Sequence, residues 1–307
     1  MKVAVFGGTG FVGSYILKEL SNNSFSINAL VRKDSENKIP KVNNINVING
    51  DLSDIDSVKE TIKHCDIVIY AVGIIREYSK RGITFEKLHY EYFKNIVDIS
   101  KSAVIKKVIY ISANGAKPIG TKYQTSKYLA EQYLQNNFNN WTIFRPSVVF
   151  GDPEGKMEFV SQLKKDIVNK YFPVPLFFRS NPFKYNIFFK SNPVHVGDLA
   201  KLVVKGLQSD NANNVIFTVG GLQETTWHSM LKTISNTTNR KKIFLLVPII
   251  IVQIFAKMLD RFRFFPITYD QLKMLKEDNI CASEDIFREF DIKPKEFSTD
   301  NLDYLQN

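Results

Sequence analysis

At 307 residues the chain has room for one large α/β unit with an added lobe, and its 44% hydrophobic and 23% charged composition excludes intrinsic disorder. With 41 basic against 31 acidic side chains, the formal charge of +10 points to an anionic partner: a phosphorylated cofactor, a membrane surface, an acidic protein or a nucleic acid. Two widely separated cysteines, Cys65 and Cys281, exclude a disulfide framework and a cysteine-held metal, and read as free thiols of a reducing compartment.

The strand pattern "KVAVF" begins at Lys2, so no signal or transit peptide is expected ahead of the fold, and the expected location is a bacterial cytoplasm. Short apolar runs, "VAVF", "SINAL", "INVI", "DIVIYA", "KVIYIS" and "WTIF", predict strands. Between them "GSYILKEL", "DIDSVKETIKH", "FKNIVDISKSAV" and "TSKYLAEQYLQ" carry helical periodicity. Such alternation predicts an α/β fold, a Rossmann-type doubly wound parallel sheet with right-handed crossovers, over residues 1–150. After Gly151 the rhythm changes. A helix near "MEFVSQLKKDIV", a helix "DLAKLVVKGLQ" with Asp198 as N-cap, a strand "VIFTVGG", a helix near "TWHSMLKTIS" and a helical tail predict a smaller, partly interleaved α+β lobe over residues 151–307.

In "FGGTGFVG" the glycines Gly7, Gly10 and Gly13 stand between the first strand and the first helix. One glycine allows the tight turn, one lets backbone amides approach a pyrophosphate, and one allows close helix-to-strand packing, while the helix N-terminus attracts negative charge. Gly7, Thr9, Gly10, Phe11, Val12 and Gly13 are therefore candidate cofactor contacts; a purely structural turn is the bland alternative. The second strand ends in "ALVRKD", where an acidic residue would grip the ribose 2′-hydroxyl of NAD. Arg32 and Lys33 stand there instead, and a guanidinium suits a 2′-phosphate, so NADP(H) is expected over NAD(H). A solvated basic strand end would look the same. Asp51 and Leu52 in "NGDLSD" fall at the adenine end, and Ala71, Val72 and Gly73 in "YAVG" at the nicotinamide side.

With "GGTGFVGSYILKEL", "ISANGAKP", "YQTSKYLAEQ", "FRPSVVFG" and "NPVHVGDLA" in order along nearly the whole chain, the sequence resembles the short-chain dehydrogenase/reductase superfamily, in its extended and atypical branch. Within that branch it is similar to the group of the NADP(H)-binding accessory subunit of respiratory complex I. The resemblance implies that Tyr123 is the acid/base residue, that Lys127 holds the nicotinamide ribose, and that Pro146 is a further cofactor contact. The i,i+4 spacing puts Tyr123 and Lys127 on one helix face, where an ammonium would lower the tyrosine pKa. Catalytic members supply a serine from the end of the fifth strand. Here the matching register holds Ala113 or Asn114, with Ser112 nearby, so Asn114 and Ser112 are the candidates to hold a substrate oxygen, and the pattern favours cofactor binding over turnover.

Two functions stay open. One is an accessory or assembly protein linked to complex I or quinone metabolism, in which NADP(H) stabilises the fold. The other is an active NADPH-dependent reductase, epimerase or dehydratase using Tyr123 and Lys127. The four histidines, His64, His89, His195 and His228, form no metal motif, and His195 reads as strand-end packing. The aromatic, basic stretch from Lys170 to Pro193 reads as a buried lobe, a lid or a contact surface. No nucleic-acid module accompanies it. The run from Ile243 to Ala256 is too short to span a bilayer; its basic flanks (Arg240, Lys241, Lys242, Lys257, Arg261, Arg263) suggest a peripheral helix at an anionic membrane surface, against the plainer reading of a core helix.

Overall fold

The computed structural model describes residues 1–178, 189–250 and 269–306. The chain divides into two compact units, the first made of Met1–Pro146, Val196–Val219 and Asp285–Ile292. Its centre is a seven-stranded sheet of β1 (Lys2–Phe6), β2 (Ser26–Val31), β3 (Ile45–Asn49), β4 (Ile67–Tyr70), β5 (Lys107–Ile111), β6 (Trp141–Pro146) and the strand Val215–Val219. Across the sheet the order runs Val215–Val219, β6, β5, β4, β1, β2, β3, and every pairing is parallel.

The central strands β1, β4 and β5 read as apolar runs because both faces are covered, whereas β3 at the sheet edge is only partly buried. Along β1, Val3, Ala4, Val5 and Phe6 are all buried. Ala4, Phe6, Val68, Tyr70, Val108 and Tyr110 pack on one side with residues of α2 (Ile55–Ile62), α3 (Tyr92–Ser102) and α4 (Lys122–Asn137). Alternation sends Val3 and Val5 to the other side, which right-handed crossovers assign to α1 (Phe11–Asn22). The helix packed on α1 comes from far along the chain.

Capping explains where the helices start. Asp54 accepts the Asp56 N–H at 3.1 Å to begin α2, and Thr121 with Gln124 forms a reciprocal capping box at α4. By contrast α1 begins at Gly10 without a side-chain cap and without an acidic residue in its first turn. Strand order reverses between β1 and β4, so the crevice of the first unit lies at their C-terminal ends, beside that uncapped helix start.

The second unit comprises Ser147–His195, Gly220–Glu284 and Lys293–Asn307. It is built on α5 (Phe159–Leu163) and a later helix, Trp227–Thr237, around a core that includes Phe150, Val160, Leu163, Trp227, Leu231, Ile234 and Leu302. His195 ends a two-residue strand, with its ring edge-on to Phe150 at 5.3 Å.

Two expectations are corrected. The helix α6 (Val196–Gly206), which packs on α1, starts before Asp198 and places that residue inside its first turn, so Asp198 is not the N-cap. In the tail, Phe244–Pro248 is a strand paired in parallel with Val174–Phe178 and not the start of a helix. A β-ladder satisfies its backbone there, and the β-branched and aromatic content of both segments suits a pleated surface. Beyond that strand, Ile251 to Ala256, the rest of the basic flank, and residues 179–188 of the aromatic stretch lie outside the described residues. The tail is helical at Tyr269–Leu275 and Glu284–Glu289. Among the described residues no helix is long and apolar enough to cross a membrane.

Candidate functional site

The turn after β1 is shaped by what its glycines leave out. Gly7 has φ +92°, and a Cβ there would stand 2.7 Å from the Ala71 carbonyl carbon and 2.8 Å from the Val72 nitrogen, so β1 and the exit of β4 touch backbone to backbone. At Gly13 a Cβ would lie 2.1 Å from the Gly7 carbonyl oxygen, so the first turn of α1 sits directly on the strand exit. The Gly10 N–H closes the turn on the Gly7 carbonyl at 3.0 Å. Around it Phe11 and Val12 are half-buried and Thr9 is partly open. This is a cradle with positive potential at a helix N-terminus and no acidic residue in the first turn of that helix, and it fits the pyrophosphate of a dinucleotide.

Next to β1 the sheet brings the ends of β2 and β3 side by side. Arg32 and Lys33 follow β2 directly and are exposed, with Asp34 in a left-handed turn at φ +65°. Asp51 and Leu52 follow β3. The Asp51 carboxylate accepts from the Ser53 N–H at 3.0 Å and the Ser53 hydroxyl at 2.8 Å, which shapes the loop, and Leu52 is half-buried. The two cations and the acid thus stand at the C-terminal ends of β2 and β3, at the edge of the sheet.

On the other side of the switch point, α4 brings Lys127 to the exits of β4 and β5. Its ammonium is buried, donates to the Ile111 carbonyl at 2.9 Å and the Val72 carbonyl at 3.4 Å, and stands 4.9 Å over the Tyr110 ring. A Cβ at Gly73 would lie 3.8 Å from its Nζ. Burial pulls its pKa down to about 7, opposed by the Glu131 carboxylate. Tyr123 is half-buried, edge-on to Phe85 at 5.5 Å and to His89 at 5.3 Å. Burial pushes its phenol up to about 12, the opposite of the lowering expected from a nearby ammonium. The physical reason is loss of water around the phenol, while Lys127 directs two of its donors to the Ile111 and Val72 carbonyls.

Ser112, at the end of β5, donates its hydroxyl to Glu131, which is fully buried. The same carboxylate accepts Arg145 Nε at 2.9 Å and a second bond from Arg145 Nη2. Neither Glu131 nor Arg145 was expected from the sequence; an arginine on a strand and a glutamate one turn past Lys127 carry no signal until the fold pairs them. Asn114 lies in the following turn, its N–H bonded to the Pro146 carbonyl at 2.9 Å, so Pro146 and Asn114 sit together at the ends of β5 and β6. The structure therefore gathers the candidates from β1, β4, β5, β6 and α4 at one end of the sheet. It also commits the Ser112 proton inward.

A family model described as NAD(P)H-binding matches residues 7–170. Among curated proteins, the chain is similar to the mitochondrial NADH-ubiquinone oxidoreductase 40 kDa subunit of Neurospora crassa, 24% identical over 310 residues that cover 99% of this chain and 78% of the relative. It is 26% identical over 240 residues to the mitochondrial NADH dehydrogenase (ubiquinone) 1 alpha subcomplex subunit 9 of Dictyostelium discoideum, covering 76% of this chain and 63% of that protein. Among solved structures, the UDP-glucose 4-epimerase of Thermus thermophilus in complex with NAD superposes with a TM-score of 0.73 at 18% identity, covering 100% of this chain and 98% of the epimerase. At that identity the likeness is one of fold.

Proposed function

The chain belongs to this NAD(P)H-binding family, and from that premise we propose that it is an atypical short-chain dehydrogenase/reductase-type protein that holds NADP(H) in an accessory role, associated with respiratory complex I or with quinone metabolism. The uncapped start of α1 would hold the pyrophosphate, Arg32 and Lys33 the 2′-phosphate, and Lys127 the nicotinamide ribose. When bound, the nicotinamide ring supplies hydride-transfer chemistry. What favours an accessory role is a single observation: the Ser112 hydroxyl is donated to the buried Glu131–Arg145 pair, so it is not offered to a substrate oxygen. The high pKa of Tyr123 agrees, because an acid/base group works best near the operating pH. Association with a membrane complex rests on the relatives named above and on the basic residues Arg240, Lys241 and Lys242 beside exposed Ile243, Leu245 and Leu246.

One experiment tests this reading. Purified from native membrane and soluble fractions, the protein is expected to carry a dinucleotide and subunits of the complex, and to leave NADPH unconsumed with aldehydes, ketones or nucleotide sugars. Steady NADPH oxidation that disappears in Tyr123→Phe would establish the alternative, an active reductase or epimerase. That alternative is favoured by one feature: Lys127, on the same helix face as Tyr123, titrates near neutrality.

Cofactor choice has its own test. By calorimetry NADPH is expected to bind at least about tenfold more tightly than NADH, as a charge-assisted pairing with a phosphate would give. Arg32→Asp should narrow or reverse the ratio. Equal affinities in the unaltered chain would remove the NADP assignment.

A further inference from the structure

Between β4 and α3 the chain makes a π-helical turn, Glu86–Glu91, that projects His89 into the interior, where it is fully buried. Wide turns of this kind recur at functional sites because one extra residue re-aims a side chain. This one is anchored from below by two buried phenols: Tyr70 of β4 donates to the Leu88 carbonyl, and Tyr110 of β5 to the His89 carbonyl at 3.5 Å.

The imidazole is held at both nitrogens. The backbone N–H of Ile74 points at Nε2 from 3.2 Å, so Nε2 is the acceptor and the proton resides on Nδ1. From there it reaches the Ser126 hydroxyl at 3.0 Å, which in turn donates to the Tyr123 carbonyl at 2.9 Å. The ring stacks on Phe85 at 5.4 Å, with the planes 26° apart, and lies edge-on to Tyr123 at 5.3 Å. The titratable groups facing it are Lys127 and Tyr123 on α4 and Tyr110 on β5.

We propose that His89, as a neutral Nδ1–H imidazole, is a positioning residue of the dinucleotide site, tying the loop that leaves β4 to the helix that carries Tyr123 and Lys127. Lys127 holds the same loop at the Val72 carbonyl, two residues earlier, so the loop is fixed from α4 at two points. The segment between them is Gly73, at the position expected beside the nicotinamide. A loop held in place in advance loses less freedom when a ligand arrives, and that difference appears in affinity. His89 itself touches neither phosphate nor ribose in this scheme; it acts through Ile74 and Ser126. The proposal rests on the dinucleotide reading of the site.

The test uses the full chain, His89→Leu, and two readouts. Amide hydrogen exchange without added nucleotide should show Ile74 losing protection at least tenfold while the amides of β1 keep theirs, and calorimetry should show NADPH binding weakened at least tenfold. Nitrogen-detected NMR of the unaltered chain should find His89 protonated at Nδ1 only, between pH 6 and 8. If His89→Leu does not fold, Ser126→Ala removes the Nδ1 partner without touching the ring and should give the same two losses in smaller measure. Unchanged Ile74 exchange, unchanged affinity, or a proton on Nε2 each overturns the proposal. Should the unaltered chain bind no dinucleotide, the site reading and the proposal fall together, and the exchange at Ile74 distinguishes this from failure of the tie alone.

Discussion

Gly13→Ala is expected to reduce dinucleotide affinity by at least about a hundredfold, roughly 3 kcal/mol at 25 °C. The new methyl would have to occupy space 2.1 Å from the Gly7 carbonyl oxygen, and its neighbours within reach are backbone, so nothing flexible can give way. Either α1 lifts from the strand exit or the turn opens, and in both cases the N–H groups at the start of α1 no longer converge. Overpacking of this kind also costs about 1–3 kcal/mol of stability. Gly10→Ala separates the two effects. Among the described residues its Cβ would meet only the Gly7 carbonyl oxygen, at 3.2 Å, so the fold should tolerate it while the methyl crowds the phosphate approach. Calorimetry and thermal melts of both variants check this. Affinity within threefold of the parent in Gly13→Ala would mean that the turn is structural only.

Lys127→Met is expected to do two opposite things: weaken dinucleotide binding at least tenfold and make the unliganded protein more stable near neutral pH. A lysine pulled down from 10.5 to about 7 binds fewer protons folded than unfolded throughout that interval. Stability therefore rises with pH between about 7 and 10.5, and the cost of burying the ammonium is complete below 7. Shifts of this size correspond to a few kcal/mol. Losing the two carbonyl hydrogen bonds gives back about 1 kcal/mol each, which leaves a net gain of about 2 kcal/mol for methionine at pH 6 to 7. The advantage should vanish at about pH 9 and reverse by about 2 kcal/mol above pH 10.5, where Lys127 is neutral folded and unfolded and methionine still lacks the two hydrogen bonds. Denaturant unfolding across that range checks the sign. A variant less stable than the parent at pH 6, or a difference that does not change with pH, would show that the ammonium is well compensated in the folded state.

Both predictions concern a lysine and a glycine found by pattern, yet their magnitudes come from contacts that no pattern shows. The strand and helix sequence of the first unit was legible because each element repeats its own period over several residues: β1, β4 and β5 as apolar runs, β2 as an apolar run interrupted by Asn28, α2 and α3 as amphipathic turns. The glycine turn was legible for the same local reason, as was the Tyr123–Lys127 spacing on α4. The strand at Phe244–Pro248 was not. Its apolar run suits a buried helix and a strand equally, and its pairing with Val174–Phe178, about 70 positions earlier, decided between them.

What the sequence determined by itself was everything set by neighbours within one or two turns: the parallel α/β order, the phosphate turn, the basic end of β2. What only the tertiary structure decided was who is buried with whom. Ser112 turned inward because Glu131 and Arg145, 19 and 33 residues further on, meet beneath it. His89 found Ile74 and Ser126 through a π-turn that no periodicity announces. Lys127 and Tyr123 are moved in opposite directions, about 7 against about 12, by the loss of water around each, and not by the charge pairing that their spacing alone suggests. Hydrogen-bond partners and desolvation depend on the path of the whole chain, and they govern protonation and donor commitment at this site.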